Sequence, residues 1–302
     1  MSVIDNATSR SLPDPLAALQ LIKPITWFPP MWAYLCGVVA SGEAPQGRWG
    51  IVVLGVLLAG PVVCGMSQAA NDWCDRFVDA INEPDRPIPS GRIPGRWGLW
   101  IALAMTALSL AVGTMLGPWG FAATVFAVLA AWAYSAEPVR LKRSGLWGPA
   151  LVGLCYEGLP WFTGAAVLSS GMPESPVVVM ALLYAVGAHG IMTLNDFKAL
   201  EGDTRTGVNS LPVTLGPARA ARLACWVMAL PQVAVACLLL VWDRPVHGAA
   251  IAAVLFGQIL AMRVLLRDPK AKAPWYNGVG VTLYVSGMLV TAFGIRTLGI
   301  SP

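Results

Sequence analysis

The sequence predicts an all-α fold, a multi-pass membrane bundle of nine transmembrane helices, and three observations predict it. Of the 302 residues, 56% are apolar and only 12% charged, about half the charge that a water-soluble surface carries; the mean hydropathy is +0.64. Windows of about 20 mainly apolar residues recur along the chain, each long enough to cross a hydrocarbon core of roughly 30 Å. The basic residues alternate from one connection to the next. With spans near 25–41, 50–70, 97–116, 119–134, 146–168, 176–193, 220–242, 248–266 and 275–295, one side holds nearly all of the 20 Lys and Arg, and only Arg48, Arg244 and Arg296 fall on the other. Basic residues near span ends are retained in the cytoplasm. A miscounted span would scramble the alternation, so the bias supports both the count and a cytoplasmic N-terminus with the C-terminus opposite.

The segment 1–24 precedes the first span. It carries Asp5, Asp14, Pro13 and Pro15 and lacks the basic head and short apolar stretch of a secretory signal, so no cleavage is expected. Residues 16–22 fit a short amphipathic helix lying along the inner interface, with Arg10 and Lys23 as inner cations. Residues 25–302 form the membrane domain. The six cysteines are scattered through apolar runs without metal or disulfide spacing and read as small core residues. The net charge of +4 is small, and no nucleic-acid partner is expected. The inner loops after spans two, four and six are long and crowded with acids and bases, so chemistry belongs on that face.

Span two runs into Asn71-Asp72-Trp73-Cys74-Asp75-Arg76-Phe77-Val78-Asp79. At helical spacing Asp72, Asp75 and Asp79 share a face, with Asn71 one turn before Asp75. Solvated helix ends usually alternate acids with bases on one stripe; a pure acid stripe emerging from a membrane requires a neutralising cation. Span six runs into Asn195-Asp196, then Lys198, Glu201, Asp203 and Arg205, and Asp196 and Asp203 repeat the seven-residue offset of Asp72 and Asp79. The loops that follow, Arg86-Pro87-Ile88-Pro89-Ser90-Gly91 and Asn209-Ser210-Leu211-Pro212, suggest an internal duplication. Hard oxygen ligands with no His or Cys nearby suit Mg²⁺, which bridges a few carboxylates to substrate phosphates. Two such clusters facing a common cavity would hold a diphosphate, and Arg86, Lys142, Arg143, Lys198 and Arg205 would stabilise it as a leaving group. For Lys142 and Arg143, anchoring against anionic lipid is an equally good reading.

On these motifs the chain resembles the UbiA superfamily of intramembrane prenyltransferases, with its Asn-Asp-x-x-Asp-x-x-x-Asp motif after span two and a second Asp-rich motif after span six. Within it, NDWCDRFVDAINEPDRPIPSGR over residues 71–92, Tyr134-Ser135-Ala136-Glu137-Pro138 and HGIMTLNDFK over 189–198 resemble the chlorophyll synthase group, in particular its bacteriochlorophyll-making branch. The resemblance implies transfer of a geranylgeranyl or phytyl group from its diphosphate to the propionate carboxylate of a bacteriochlorophyllide, in a bacterial inner or intracytoplasmic membrane. It implies Asp72, Asp75, Asp79, Asp196 and Asp203 as catalytic residues. It carries Mg²⁺ and diphosphate ligation onto them together with Asn71 and Asn195. Where many relatives have a middle Asp in the second motif this chain has Ala199, and Glu201 is the candidate replacement. Association with other pigment-biosynthesis or photosynthetic membrane proteins is a further expectation.

An ionising allylic diphosphate needs a dry, apolar or aromatic pocket beneath the cation layer. Trp27, Phe28, Trp32, Trp73, Phe197 and Tyr134 lie near that depth, although interfacial belts use the same residue types. His189, seven residues before Asp196, stands about 10 Å deeper on the same face; it and Tyr134 are acceptor-binding candidates, with an interhelical hydrogen bond as the alternative for His189. Glu157 sits mid-span without an assigned role. A transporter would place its acids near the midplane on broken helices, which the placement of these acids at span ends opposes. A quinone-precursor ring as acceptor is the enzymatic alternative, and a pigment scaffold would need neither acidic motif.

Overall fold

The computed structural model describes residues 12–298; Asp5 and Arg10 of the N-terminal segment and residues 299–302 lie outside the described residues. Every regular element among them is helical: α1 Pro15–Leu21, α2 Phe28–Ala40, α3 Trp49–Leu57, α4 Gly65–Asn82, α5 Trp97–Gly113, α6 Gly117–Ser135, α7 Trp147–Gly153, α8 Leu159–Ser169, α9 Ser175–Asn195, α10 Leu200–Thr206, α11 Leu211–Leu215, α12 Pro217–Val241, α13 Pro245–Leu265 and α14 Pro269–Ile295. One isolated parallel bridge joins Ser144 and Asn209.

Seven helical runs among the described residues are long and apolar enough to cross a membrane, where nine were expected. The difference has two sources. Spans three and four fall in one helical run, Trp97–Ser135, although a short 3-10 turn at Thr114–Leu116 and Gly117 with φ of 76° separate α5 from α6, and the two legs pack on each other. Only glycine adopts that left-handed conformation without strain. The expected first span is the 13-residue α2, about 20 Å long at 1.5 Å per residue and short of the hydrocarbon thickness.

Two proline-associated π-helical segments interrupt the runs. Leu58–Cys64 contains Pro61 and joins α3 to α4; Leu154–Gly158 precedes Pro160 and joins α7 to α8. Proline has no N–H to close the usual turn, and a wider turn absorbs the defect without ending the helix.

The chain forms two compact units, Met1–Met31 with Val53–Leu141, and Trp32–Val52 with Lys142–Pro302. In the first, α1 is capped by Asp14, whose carboxylate accepts the Leu16 N–H at 3.0 Å, and it buries Ala17 and Leu21 against Ala69, Ala70, Ile88 and Ile93 while Leu16 and Leu19 stay exposed. A helix therefore stands at Pro15–Leu21, where a short one was expected. Ile88 and Ile93 anchor the loop after α4, and Asp14 N–H donates to Arg92 O at 3.1 Å.

In the second unit Trp161 stacks on Tyr184 at 5.5 Å and Tyr184 meets Tyr284 edge-on at 5.3 Å, at the centre of a core with Met180, Val235, Ile251 and Met288. Helices α2 and α8 touch backbone to backbone: a Cβ on Gly37 would lie 1.9 Å from Trp161 O, and one on Gly164 2.1 Å from Tyr34 O. Arg48 donates to Leu168 O and Val167 O at 2.6 and 2.7 Å, satisfying carbonyls at the end of α8. The six cysteines are free thiols.

Candidate functional site

The first acidic motif lies wholly on α4, so its acids keep the α-helical period. Asp72 and Asp79 are buried and Asp75 is half-buried. Burying several carboxylates is costly unless each meets a cation or a donor, and here each does. Lys23 Nζ lies 2.6 Å from Asp72 Oδ1. Arg86 Nη1 spans Asp79 Oδ2 at 2.8 Å and Asp72 Oδ1 at 3.5 Å, while its other nitrogens grip Glu83 at 2.6 and 2.7 Å. Arg140 donates to Asp75 at 2.8 Å and to Glu137 at 3.0 Å. Burial acts most strongly on the Arg86 guanidinium and opposes its charge, but the hydrogen bonds to Glu83 and the nearby Asp72, Asp79 and Glu83 outweigh it and raise its pKa. Arg140 is raised in the same way, through Glu137 and Asp75 against burial.

Local backbone aims these cations. Lys23 (φ 45°) and Arg140 (φ 37°) both occupy the left-handed region, where a non-glycine residue is strained and held by its surroundings. Arg86 follows the helix end, with its N–H donating to Glu83 O at 3.0 Å. Arg76 is turned elsewhere, lying over the Trp73 ring at 4.0 Å and the Phe77 ring at 4.2 Å. Asn71 donates to the Ser135 hydroxyl at 3.3 Å, beside half-buried Tyr134 on the last turn of α6.

The second acidic motif is built differently. Asn195 is the last residue of α9, Asp196–Ala199 tightens into a 3-10 turn, and Glu201, Asp203 and Arg205 belong to α10. The continuous helix implied by the seven-residue offset is therefore interrupted. Among the described residues no ion pair engages Asp196 or Asp203, and Lys198 and Arg205 are exposed. Glu201 pairs with Lys270 at 3.2 Å on the surface, with 77% of the Glu201 side chain exposed. Asn195 Oδ1 accepts from Asn277 Nδ2 at 2.7 Å and its own Nδ2 donates to Met192 Sδ at 3.5 Å, so both ends of the amide expected to ligate metal are engaged.

Lys142 is half-buried and Arg143 exposed, in the turn Leu141–Arg143. Arg143, Ser144, Leu146 and Asn209 line an open cleft of about 470 Å³, whose walls are clasped by Gly145 N–H to Asn209 O at 2.9 Å and Asn209 N–H to Arg143 O at 3.0 Å. A Cβ on Gly145 would stand 2.6 Å from Leu211 N, so the clasp closes only around glycine. His189 Nε2 lies 3.1 Å from Leu146 O and its Nδ1 3.4 Å from the Thr193 hydroxyl. The interhelical hydrogen bond named as its alternative is the one present. Glu157 is buried on the π-helical segment, with Oε2 unpartnered.

Three engaged residues escaped the sequence reading. Lys23 lies 49 positions from Asp72, a separation that no local spacing reveals. Arg140 was read only as an inner-face cation, and Asn277 was passed over inside an apolar run. The signal available for each was a polar side chain near an apolar span end.

Among the described residues no three His, Cys, Asp or Glu side chains form a ready-made metal cage. The first motif nevertheless suits a hard divalent cation. Asp72 Oδ2 is buried without a partner, an orphaned carboxylate oxygen of the kind a cation satisfies, and the remaining donors are oxygens.

The described residues thus form an all-helical chain with membrane-length apolar helices and two acid-rich helix ends, the class of an intramembrane enzyme. Residues 27–286 match the UbiA prenyltransferase family, and the chain belongs to it. It is 70% identical over 302 residues to the bacteriochlorophyll synthase 33 kDa chain of Cereibacter sphaeroides, covering all of both chains. It is 36% identical over 284 residues to the chloroplastic chlorophyll synthase of Arabidopsis thaliana, covering 91% of this chain and 73% of that one. The fold is similar to that of a UbiA homolog from Archaeoglobus fulgidus bound to DMAPP and Mg²⁺, with a TM-score of 0.71 and 21% identity over 91% of this chain and 99% of that one.

Proposed function

We propose that this protein esterifies the propionate carboxylate of a bacteriochlorophyllide with a geranylgeranyl or phytyl group taken from its diphosphate. The observation that carries this reading is the 70% identity to a bacteriochlorophyll synthase chain across the whole length. The first acidic motif supports it chemically, because each of its acids is matched by a cation suited to phosphate.

Asp72, Asp75, Asp79, Asp196 and Asp203 are the residues to hold Mg²⁺, with Asn71 beside them; Asn195 serves its helix end rather than the cation. Bound there, Mg²⁺ supplies charge neutralisation for the departing diphosphate. With a cation on those carboxylates, Arg86, Lys23 and Arg140 would be free to serve phosphate oxygens, Arg86 through its planar fork. Their charge favours the state in which diphosphate gains charge, so most of the rate gain is electrostatic. The acceptor carboxylate, with a pKa of about 4 to 4.5, is ionised at neutral pH and needs no strong base. Lys142, Arg143, Lys198 and Arg205 contribute long-range attraction for the diphosphate from the surface. Tyr134 and the aromatic residues of the helix ends keep water from the allylic carbon. A cytoplasmic active site in a bacterial inner membrane completes the reading, supported by the distribution of Lys and Arg.

Purified protein in detergent, given bacteriochlorophyllide a with geranylgeranyl or phytyl diphosphate, is expected to yield the esterified pigment by chromatography only when Mg²⁺ is present. Absence of ester with both donors, in a folded preparation, rejects the proposal.

A further inference from the structure

The second acidic motif has few ionic partners of its own, yet one neighbour meets it where its backbone changes character. Asn277 on α14 donates its side-chain N–H to Asn195 Oδ1 at 2.7 Å. Asn195 is the last α-helical residue before the 3-10 turn that begins at Asp196. A hydrogen bond at that junction fixes the rotation of the helix end, and with it the direction in which the Asp196 carboxylate leaves the chain. Asn277 is itself on a rigid support: its neighbour Tyr276 is fully buried with its hydroxyl directed to Met228 Sδ, and Gly280 O, one turn on, accepts from Gln258 at 3.0 Å. The other link from α14 to this motif, Lys270 to Glu201, is exposed on both sides and orders little. Asn277 Oδ1 is buried and has no partner, an unusual condition for an amide oxygen.

We propose that Asn277 is a positioning residue for the second acidic motif. Through Asn195 it holds Asp196 in a cation-binding direction, and its unpaired oxygen accepts a hydrogen bond from a water of the bound cation's hydration shell. Mg²⁺ keeps several waters when bound by few carboxylates, and groups that orient ligands or bound water typically change metal affinity 10- to 100-fold when removed. The proposal rests on the reading of Asp196 and Asp203 as cation ligands.

The test is Mn²⁺ binding, read as free Mn²⁺ by electron paramagnetic resonance on the full-length protein in detergent without substrates, together with steady-state kinetics. Asn277→Leu is expected to weaken Mn²⁺ binding roughly ten-fold and to raise the KM for prenyl diphosphate while leaving that for bacteriochlorophyllide unchanged. Asn277→Ser, which retains a small donor and acceptor, recovers part of the loss and replaces the Leu variant should that fail to fold. Combining Asn195→Ala with Asn277→Leu costs less than the two single effects multiplied, because both act through one contact. Wild-type Mn²⁺ affinity in Asn277→Leu, or an equal rise in both KM values, overturns the proposal. Asp203→Ala is the control: if it too binds Mn²⁺ normally, the cation reading falls and takes the role of Asn277 with it; if only Asn277→Leu is normal, the cation reading stands alone.

Discussion

The two acidic helix ends carry the same seven-residue offset but satisfy it by different means. On α4 the acids remain on one unbroken helix and each is held by a basic side chain: Asp72 by Lys23 and Arg86, Asp79 by Arg86, Asp75 by Arg140. After α9 the backbone tightens into a 3-10 turn and no ion pair engages Asp196 or Asp203 among the described residues; the fixed point is an amide pair, Asn277 to Asn195. Spacing alone therefore does not determine how a carboxylate is presented. The first end is preloaded with counter-charge that a cation must displace, whereas the second is held by neutral hydrogen bonding and a surface ion pair.

That contrast is open to direct attack. The largest effect is expected from the acids themselves: Asp75→Ala and Asp203→Ala should each lower ester formation by roughly 10³-fold or more, with helical circular dichroism unchanged and chelation of Mg²⁺ abolishing the wild-type rate equally. Retention of more than a tenth of the rate in Asp203→Ala restricts the cation site to the first end. Next is Arg86→Ala, expected to reduce the rate roughly 100-fold and to cost about 1 to 3 kcal/mol of stability, the buried-pair penalty reduced for a guanidinium that is a quarter exposed. Thermal melts should recover more stability on adding Mg²⁺ in this variant than in wild type, since a cation then supplies the missing charge; equal recovery rejects the displacement idea. Lys23→Met should raise the KM for prenyl diphosphate about 10-fold, as loss of one charged hydrogen bond implies, and leave the KM for the pigment alone. The smallest effect belongs to Lys270→Ala, where loss of an exposed pair shifts stability by under about 0.5 kcal/mol and the rate by less than about two-fold; a larger change would make the surface pair a true part of the second end.

Much of this was legible in the chain. The helical class followed from apolar runs, and the positions of α9, α12, α13 and α14 lie close to the expected spans because a segment in hydrocarbon must satisfy its backbone internally. The expected spans near 97–116 and 119–134 coincide with α5 and α6, whereas the span near 25–41 is a helix of only 13 residues, a shortening that hydropathy does not see. The first motif was legible as a face because its helix is regular. The 3-10 turn of the second, the Asn277 bond to Asn195 and the Lys270 pair with Glu201 were not legible, because these contacts join residues 82 and 69 positions apart. The His189 bond to Leu146 was open for the same reason.

By itself the sequence determined what must be buried in lipid and which residues carry charge at the helix ends, since both depend on composition and on a period of 3.6 residues. Only the tertiary structure decided which cation faces which acid and which amide holds Asn195. Such pairings are set by the packing of helices far apart in the chain, where a few tenths of an ångström decide whether a hydrogen bond forms.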